Sequence, residues 1–221
     1  MNYNNTFNTF IATESNVEEK QVAFDYASDK SNFQTLVISS SVGNGATHLA
    51  WAIVNEIIQN EELENYYFVS FERLMIDISK NGVLSKEMLN SKSVVVIDSY
   101  FNNDGEKSNY LISTLEGVKT KVIITCNEET NIPIEHFRIN LSCPNKNDRE
   151  IITHKLFTNL SIIHNQEIID FIVEKDFTSV RILEGFLITL LAKSQLENEK
   201  FDLNYTIKVF EELKSKLLPN S

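Results

Sequence analysis

Short apolar segments alternate along the chain with stretches in which apolar residues recur every three or four positions. The short segments are rich in β-branched residues and predict strands at Thr35–Ser39, Tyr66–Ser70, Ser93–Asp98, Lys121–Cys126 and Arg138–Leu141. The helical spacing between them predicts helices at Thr47–Asn60, Phe71–Ser79 and Ser108–Glu116. This alternation is typical of an α/β fold, in which helices cover both faces of a parallel sheet.

The pattern changes after Pro144, where strand candidates stop and helical spacing continues. Asn147 and Glu150 predict the N-cap and the capping-box partner of one helix. Further helices are predicted at Gln166–Val173, Ser179–Asn198 and Asn204–Leu217. We therefore expect an α/β domain over residues 1–143 and a small helical domain over residues 144–221.

The loop after the first predicted strand has the outline of a phosphate-binding P-loop. Residues 40–47 read Ser-Ser-Val-Gly-Asn-Gly-Ala-Thr, against the pattern G-x-x-x-x-G-K-[ST]. Ser40 replaces the first glycine and Ala46 replaces the lysine. Gly43 and Gly45 still permit close backbone approach to a phosphate, next to the N–H groups that begin a helix. A plain strand-to-helix turn with glycines is the alternative.

Oxygen donors for Mg²⁺ are present nearby in the sequence. Thr47 carries a hydroxyl, and Asp98 ends an apolar strand in the manner of a Walker B motif. A strand-ending aspartate that caps a turn is the alternative. The next residue, Ser99, stands where a second carboxylate would polarise water, and serine cannot act as that base.

Two other polar residues are candidates for contact with a nucleotide. Asn127 ends a predicted strand and carries an amide that can hold an attacking water. Arg181 lies near the start of a predicted helix and carries a cation that can reach a phosphate. The alternative for Asn127 is a residue that merely begins a loop. The alternative for Arg181 is a solvated arginine that caps its own surface.

Composition and charge narrow the classes of function. With 221 residues, of which 42% are hydrophobic, the chain can form a substantial core. A net charge of −11 without a basic cluster opposes binding to duplex DNA. Cys126 and Cys143 lack metal-ligand spacing and are typical of reduced thiols. Met1–Phe10 has no apolar signal core and no segment has membrane-spanning length, so we expect a cytoplasmic protein.

Four segments together resemble the AAA+ domain of the bacterial replication initiator DnaA and its short relative Hda. Thr6–Asn16 is similar to the family's T-F-x-x-F…(P)SN segment, and Val42–Leu49 to its V-G-x-G-K-T-H-L loop. Val94–Ser99 resembles the strand that ends in paired aspartates, and Arg181–Gly185 resembles the R-E-L-E-G helix. The resemblance implies an AAA+ P-loop-type parallel sheet sandwiched by helices, followed by a small all-helical lid domain.

The same resemblance assigns candidate roles to individual residues. The residues that it places at the nucleotide are Gly43, Gly45, Ala46, Thr47, His48, Asn127 and Arg181. Those that it places at Mg²⁺ are Asp98 and Thr47.

Departures from the family pattern concern the residues that support hydrolysis. Ala46 replaces the lysine and Ser99 replaces the second acidic residue. Asn131–Phe137 is shorter than the segment that carries the family's arginine finger, and Arg138 does not clearly take its place. We therefore expect weak binding of ADP or ATP with Mg²⁺, or none, and no ATPase activity.

The leading hypothesis is a regulatory protein that acts by contacting the initiator DnaA or another AAA+ subunit. The alternatives are an active ATP- or ADP-binding AAA+ ATPase and a DNA-binding protein of the initiator type. The chain shows no counterpart of the initiator's helix-turn-helix domain, so duplex DNA is not an expected partner. Met1–Phe10 lacks the glutamine and spaced leucines of a clamp-binding motif, so recruitment by the sliding clamp is not expected either.

Overall fold

The computed structural model describes residues 2–60, 65–74, 76, 93–101, 105–115, 118–162 and 165–218. The chain divides into two compact units. The first contains Met1–Ala12, Asn16–Ser41 and Gly45–Leu141, and the second contains Thr13–Ser15, Val42–Asn44 and Ser142–Ser221. Of the predicted helix Phe71–Ser79, residues 71–74 and 76 are helical, and the others lie outside the described residues, as does Glu116.

The first unit is built on a parallel sheet. Within the described residues its strands are β1 (Thr35–Ser40), β2 (Asn65–Ser70), β3 (Ser93–Tyr100), β4 (Lys121–Cys126) and β5 (Phe137–Leu141). They lie in the order β2-β3-β4-β1-β5, and each neighbouring pair is parallel. The five predicted strands are confirmed, with small differences at their ends.

Helices cover both faces of this sheet. They are α1 (Val17–Ala27), α2 (Ala46–Asn60) and α3 (Gly105–Leu115). Alternate strand residues point to opposite faces. Leu36 and Ile38 of β1 therefore join the core formed with α1 and α2, whereas Val37 joins a second core that contains Leu115 of α3.

The predictions at Thr47–Asn60 and Ser108–Glu116 correspond to α2 and α3. Helix α1 was not predicted, because its buried residues are only Ala23, Tyr26 and Ala27 and they form a short apolar stripe.

The second unit consists of helices around an aromatic core. Its helices are α4 (Lys146–Asn159), α5 (Gln166–Val173), α6 (Val180–Glu197) and α7 (Leu203–Leu217). Phe186 packs between Phe177 and Phe210, with ring centroids 5.7 and 5.8 Å away. Among the described residues, no helix of either unit has the length and apolar character needed to cross a bilayer.

Helix α4 begins earlier than its sequence suggested. Its N-cap is Asn145, whose Oδ1 accepts a hydrogen bond from the Asp148 N–H at 3.0 Å. The Asn145 N–H in turn donates to Asp148 Oδ2 at 3.0 Å, which completes a capping box. The prediction of Asn147 with Glu150 was wrong, because two asparagines compete as N-cap and Asp148 replaces the usual glutamate or glutamine.

The Asp148 carboxylate has a wider role than capping. It is almost fully buried, and the Ser15 hydroxyl also donates to its Oδ2. Burial opposes ionisation, but hydrogen bonds from Ser15, the Asn145 N–H and Thr13 together hold the pKa of Asp148 below its ordinary value. The carboxylate therefore fastens residues 13–15 to the start of α4.

Replacing Asp148 with asparagine is expected to lower stability in a pH-dependent way. Because the folded pKa lies below the unfolded value of about 4, the carboxylate stabilises the protein above that pH. This contribution is lost as the pH falls through the folded pKa. We expect Asp148→Asn to reduce the free energy of unfolding by about 2 kcal/mol at pH 7, measured by urea denaturation.

The matched control is Asp170→Asn on α5. This exposed carboxylate accepts a single bond from the Gln166 side chain, so the change is expected to stay within about 0.5 kcal/mol. The difference between wild type and Asp148→Asn is expected to shrink as the pH falls below about 4 and through the lower folded pKa of Asp148. A constant difference across that range would contradict the assigned role.

Candidate functional site

The strand order brings three segments that carry candidate site residues to one edge of the sheet. Strand β4 lies between β1 and β3, and all three are parallel. Their carboxyl ends therefore share the edge where α/β folds commonly bind ligands. Thr47 follows β1, Asp98 lies near the end of β3 and Asn127 follows β4.

Two hydroxyl groups hold the Asp98 carboxylate. Thr47 Oγ1 donates to Asp98 Oδ1 at 2.9 Å, and Thr125 Oγ1 donates to the same oxygen at 2.7 Å. Thr125 is buried within β4. The carboxylate thus links the start of α2 to the ends of β3 and β4.

Ser99 distorts the backbone beside this carboxylate. Its φ is +59°, in the left-handed region, and the pairing of β3 with β4 shifts register between Ile97 and Tyr100. The Ser99 N–H donates to Thr125 Oγ1 at 2.8 Å, which stabilises the bulge. Thr125 was not among the predicted site residues, although a lone hydroxyl in the apolar run Ile123–Cys126 was a usable signal.

Thr47 and Asp98 supply two oxygen groups of the kind that a magnesium ion binds. A hydroxyl and a carboxylate are hard oxygen ligands of the type that Mg²⁺ selects. Thr47 Oγ1 and Asp98 Oδ1 lie 2.9 Å apart. Within the described ranges no three His, Cys, Asp or Glu side chains cluster as a metal site. Any Mg²⁺ bound here would therefore take most of its ligands from phosphate and water.

Gly45 allows the loop to pass beneath an aromatic ring. Its φ is +101°, and a Cβ at this position would lie 3.0 Å from the Phe10 ring. Helix α2 begins at the next residue, Ala46, and the Leu49 N–H donates to the Gly45 carbonyl at 2.8 Å. The Ala46 methyl packs at the margin of the apolar core and offers no charge to a phosphate.

His48 contacts the N-terminal segment of the chain. Its Nε2 lies 3.2 Å from Thr9 Oγ1 and 3.3 Å from the Thr6 carbonyl oxygen. Its ring meets Phe10 edge-on, with centroids 5.5 Å apart. These contacts hold the segment Thr6–Phe10 against α2. His48, which was predicted to contact nucleotide, therefore has a structural role in the first unit.

Asn127 and Arg181 are both exposed. Asn127 begins a turn directly after β4, in which its carbonyl accepts from the Thr130 N–H at 3.1 Å. Arg181 is the second residue of α6, and its N–H donates to the Gly43 carbonyl at 3.1 Å. The exposed side chains of both residues remain accessible to a ligand.

Arg138 is occupied inside the first unit. Its guanidinium donates to the Thr130 carbonyl at 2.7 Å and to the Glu128 carbonyl at 3.3 Å. These bonds fasten the turn after β4 to β5.

The fold defined by this sheet and these helices is that of an AAA+ domain. Domain III of the Thermotoga maritima initiator DnaA superposes with a TM-score of 0.79 at 23% identity, over 96% of this chain and 98% of that one. A replication initiator DnaA bound to AMPPCP and single-stranded DNA superposes with a TM-score of 0.71 at 20% identity, over 97% and 68%. Identities this low establish the fold alone.

Sequence similarity identifies the family within that class. The profile of the bacterial DnaA ATPase domain matches residues 1–132. The initiator DnaA of Buchnera aphidicola subsp. Cinara cedri is 28% identical over 233 residues, which cover 95% of this chain and 53% of that protein. This chain belongs to the bacterial DnaA ATPase domain family, and it spans about half the length of the curated relatives it matches.

Thr125→Val tests the importance of the hydroxyl beneath Asp98. Valine keeps the shape but leaves the Ser99 N–H without its acceptor and removes one donor to the carboxylate. Hydrogen bonds to charged groups contribute about 1.5–3 kcal/mol. We therefore expect urea unfolding to show a loss of about 2 kcal/mol.

Thr153→Val is the matched control in α4. Thr153 is fully buried, and its hydroxyl donates to the Arg149 carbonyl one turn earlier. That carbonyl keeps its helical partner, so a loss below about 1 kcal/mol is expected. Equal losses for the two variants would contradict a special role for Thr125.

Proposed function

We propose that this protein is a DnaA/Hda-like regulatory AAA+ protein of bacterial chromosome replication initiation. It acts through contact with DnaA or another AAA+ subunit, binds nucleotide weakly or not at all, and has no ATPase activity. The observation that carries this proposal is Ala46, the first residue of α2, at the position of the lysine in the family's loop.

The missing lysine has a definite energetic consequence. A lysine here would place a positive charge at the β- and γ-phosphates, where a charge-assisted hydrogen bond contributes about 1.5–3 kcal/mol. Its absence corresponds to a loss of about one to two orders of magnitude in nucleotide affinity. Thr47 and Asp98 retain their oxygen groups, so a weak site for ADP or ATP with Mg²⁺ is compatible with the remaining residues.

Two other positions support the loss of hydrolysis. Ser99 stands at the second acidic position, and a serine hydroxyl is too weak a base to activate water. Arg138, the arginine that follows the shortened finger segment, is bonded to backbone carbonyls of its own unit. An active enzyme would need replacements for the lysine, the second acid and the finger together.

An ATP- or ADP-binding AAA+ ATPase is the second candidate, favoured by the intact Thr47–Asp98 pair. Family membership and the related DnaA bound to AMPPCP support nucleotide binding in general. A DNA-binding initiator-type role has less support, because the net charge of −11 repels duplex DNA. The related DnaA that binds AMPPCP is also bound to single-stranded DNA. Binding of single-stranded DNA by this protein is therefore a separate question from binding of duplex DNA.

Ala46→Lys is expected to strengthen nucleotide binding. If the remaining loop still cradles phosphate, titration calorimetry with Mg-ADP and Mg-ATP should show an affinity gain of about 10- to 100-fold over wild type. Ala46→Met is the matched control, because it adds a side chain of similar length without charge and should give no gain.

Two results would contradict the proposal. Tight binding of Mg-ADP or Mg-ATP by the wild type, not improved by Ala46→Lys, would mean that the lysine is not needed. ATP turnover by the wild type at an ordinary AAA+ rate would restore the ATPase candidate.

A further inference from the structure

The first turn of α6 is bonded to two residues of the glycine loop. The Val180 N–H donates to Asn44 Oδ1 at 3.2 Å, and the Arg181 N–H donates to the Gly43 carbonyl at 3.1 Å. The first N–H groups of a helix have no partner within the helix. The loop therefore acts as a cap for α6, although it lies 136 residues earlier in the chain.

The next two N–H groups of this turn are bonded to Ser179, the N-cap residue of α6. The Ser179 hydroxyl accepts from the Ile182 N–H at 3.3 Å, and the Ser179 carbonyl accepts from the Leu183 N–H at 3.2 Å. Residues of the chain thus satisfy all four leading N–H groups of α6. The positive end of this helix needs no bound anion to complete it.

The Asn44 side chain is held in one orientation. It is buried, with 7% of its surface exposed, and its Nδ2 donates to Cys143 Sγ at 3.3 Å. The Cys143 thiol lies 3.6 Å from the Thr178 carbonyl, to which it donates. Because Nδ2 is occupied by the sulfur, Oδ1 is the end of the amide that faces α6.

Gly43 permits the close approach that this contact requires. Its φ is +90°, and a Cβ there would lie 2.9 Å from Ser179 Oγ and 3.0 Å from Arg181 Cβ. Its carbonyl points to the Arg181 N–H. Because the peptide bond is planar and trans, the N–H of Asn44 must point away from α6.

We propose that Asn44 is a positioning residue of the nucleotide loop. With the Gly43 carbonyl it holds residues 42–44 on the N-terminus of α6 when no nucleotide is present, and so fixes the direction of a loop N–H group. The N-terminus of α6 thus keeps the loop in shape without a ligand, an inference that rests on the proposed function and deepens it.

Hydrogen exchange at two amides measures this contact directly. In nucleotide-free wild type, NMR should show protected N–H groups at Val180 and Arg181. Asn44→Ala should accelerate exchange of the Val180 amide about five- to tenfold, as expected for loss of a helix-capping bond. The Tyr205 amide, capped by Asp202 on α7, reports whether the helical unit is still folded and should not change.

Two further variants separate hydrogen bonding from packing. Asn44→Asp keeps the acceptor oxygen, which the helix N-terminus favours, and should retain protection within about twofold of wild type. Cys143→Ala removes the sulfur that accepts from Nδ2 but keeps the Asn44 acceptor, and should accelerate exchange of the Val180 amide less than Asn44→Ala does. Rescue by aspartate would show that the acceptor, and not side-chain volume, is responsible.

Exchange at Val180 that is the same in Asn44→Ala and wild type, with Tyr205 protected, would overturn the proposal. So would equal loss of protection in Asn44→Ala and Asn44→Asp, or protection of wild type only after Mg-ADP is added. Tight Mg-ADP binding with the two amides already protected beforehand would instead contradict weak nucleotide binding. The two proposals therefore fail in distinguishable ways.

Discussion

The Asp98 carboxylate is the group that links the elements meeting at the carboxyl edge of the sheet in the first unit. Parallel strands bring the ends of β3 and β4 beside the start of α2, and hydroxyls from Thr47 and Thr125 meet on one carboxylate oxygen. The same threonine accepts the Ser99 N–H and so holds a bulge in β3. This hydrogen-bonded arrangement needs no ligand, because Asp98 supplies the charge and the two threonines supply the hydrogen-bond donors. The polar geometry of this edge therefore depends on Thr47, Asp98 and Thr125 themselves.

The glycine loop is divided between two structural tasks. Gly45 and Ala46 begin α2 beneath Phe10, whereas Gly43 and Asn44 cap α6. Both glycines have positive φ values, which glycine adopts without strain. In a phosphate-binding loop the backbone must also present N–H groups to the anion. The positive φ values of Gly43 and Gly45 are compatible with such a loop, whereas Ala46 supplies no lysine charge.

The sequence predicted the sheet well because its signals are local and redundant. Buried parallel strands appear as continuous β-branched runs, and β4 was predicted to the residue. Helix α1 was missed because a small stripe of alanines and one tyrosine carries little periodic signal. The N-cap of α4 was misplaced because neighbouring asparagines look alike until Asp148 is seen to close the capping box.

The contact between candidate site residues that belong to a sequence motif could be predicted. Contacts that form only between distant parts of the folded chain could not. Thr47 and Asp98 meet as the motif spacing suggested. No short-range pattern links Asn44 to Val180 or His48 to Thr6, because these contacts depend on the folded chain. The most direct test of the proposed function is sedimentation of this protein with the DnaA of its host, without nucleotide and with Mg-ADP. Formation of a complex in both conditions is the predicted result, and two independently sedimenting proteins in both would contradict it.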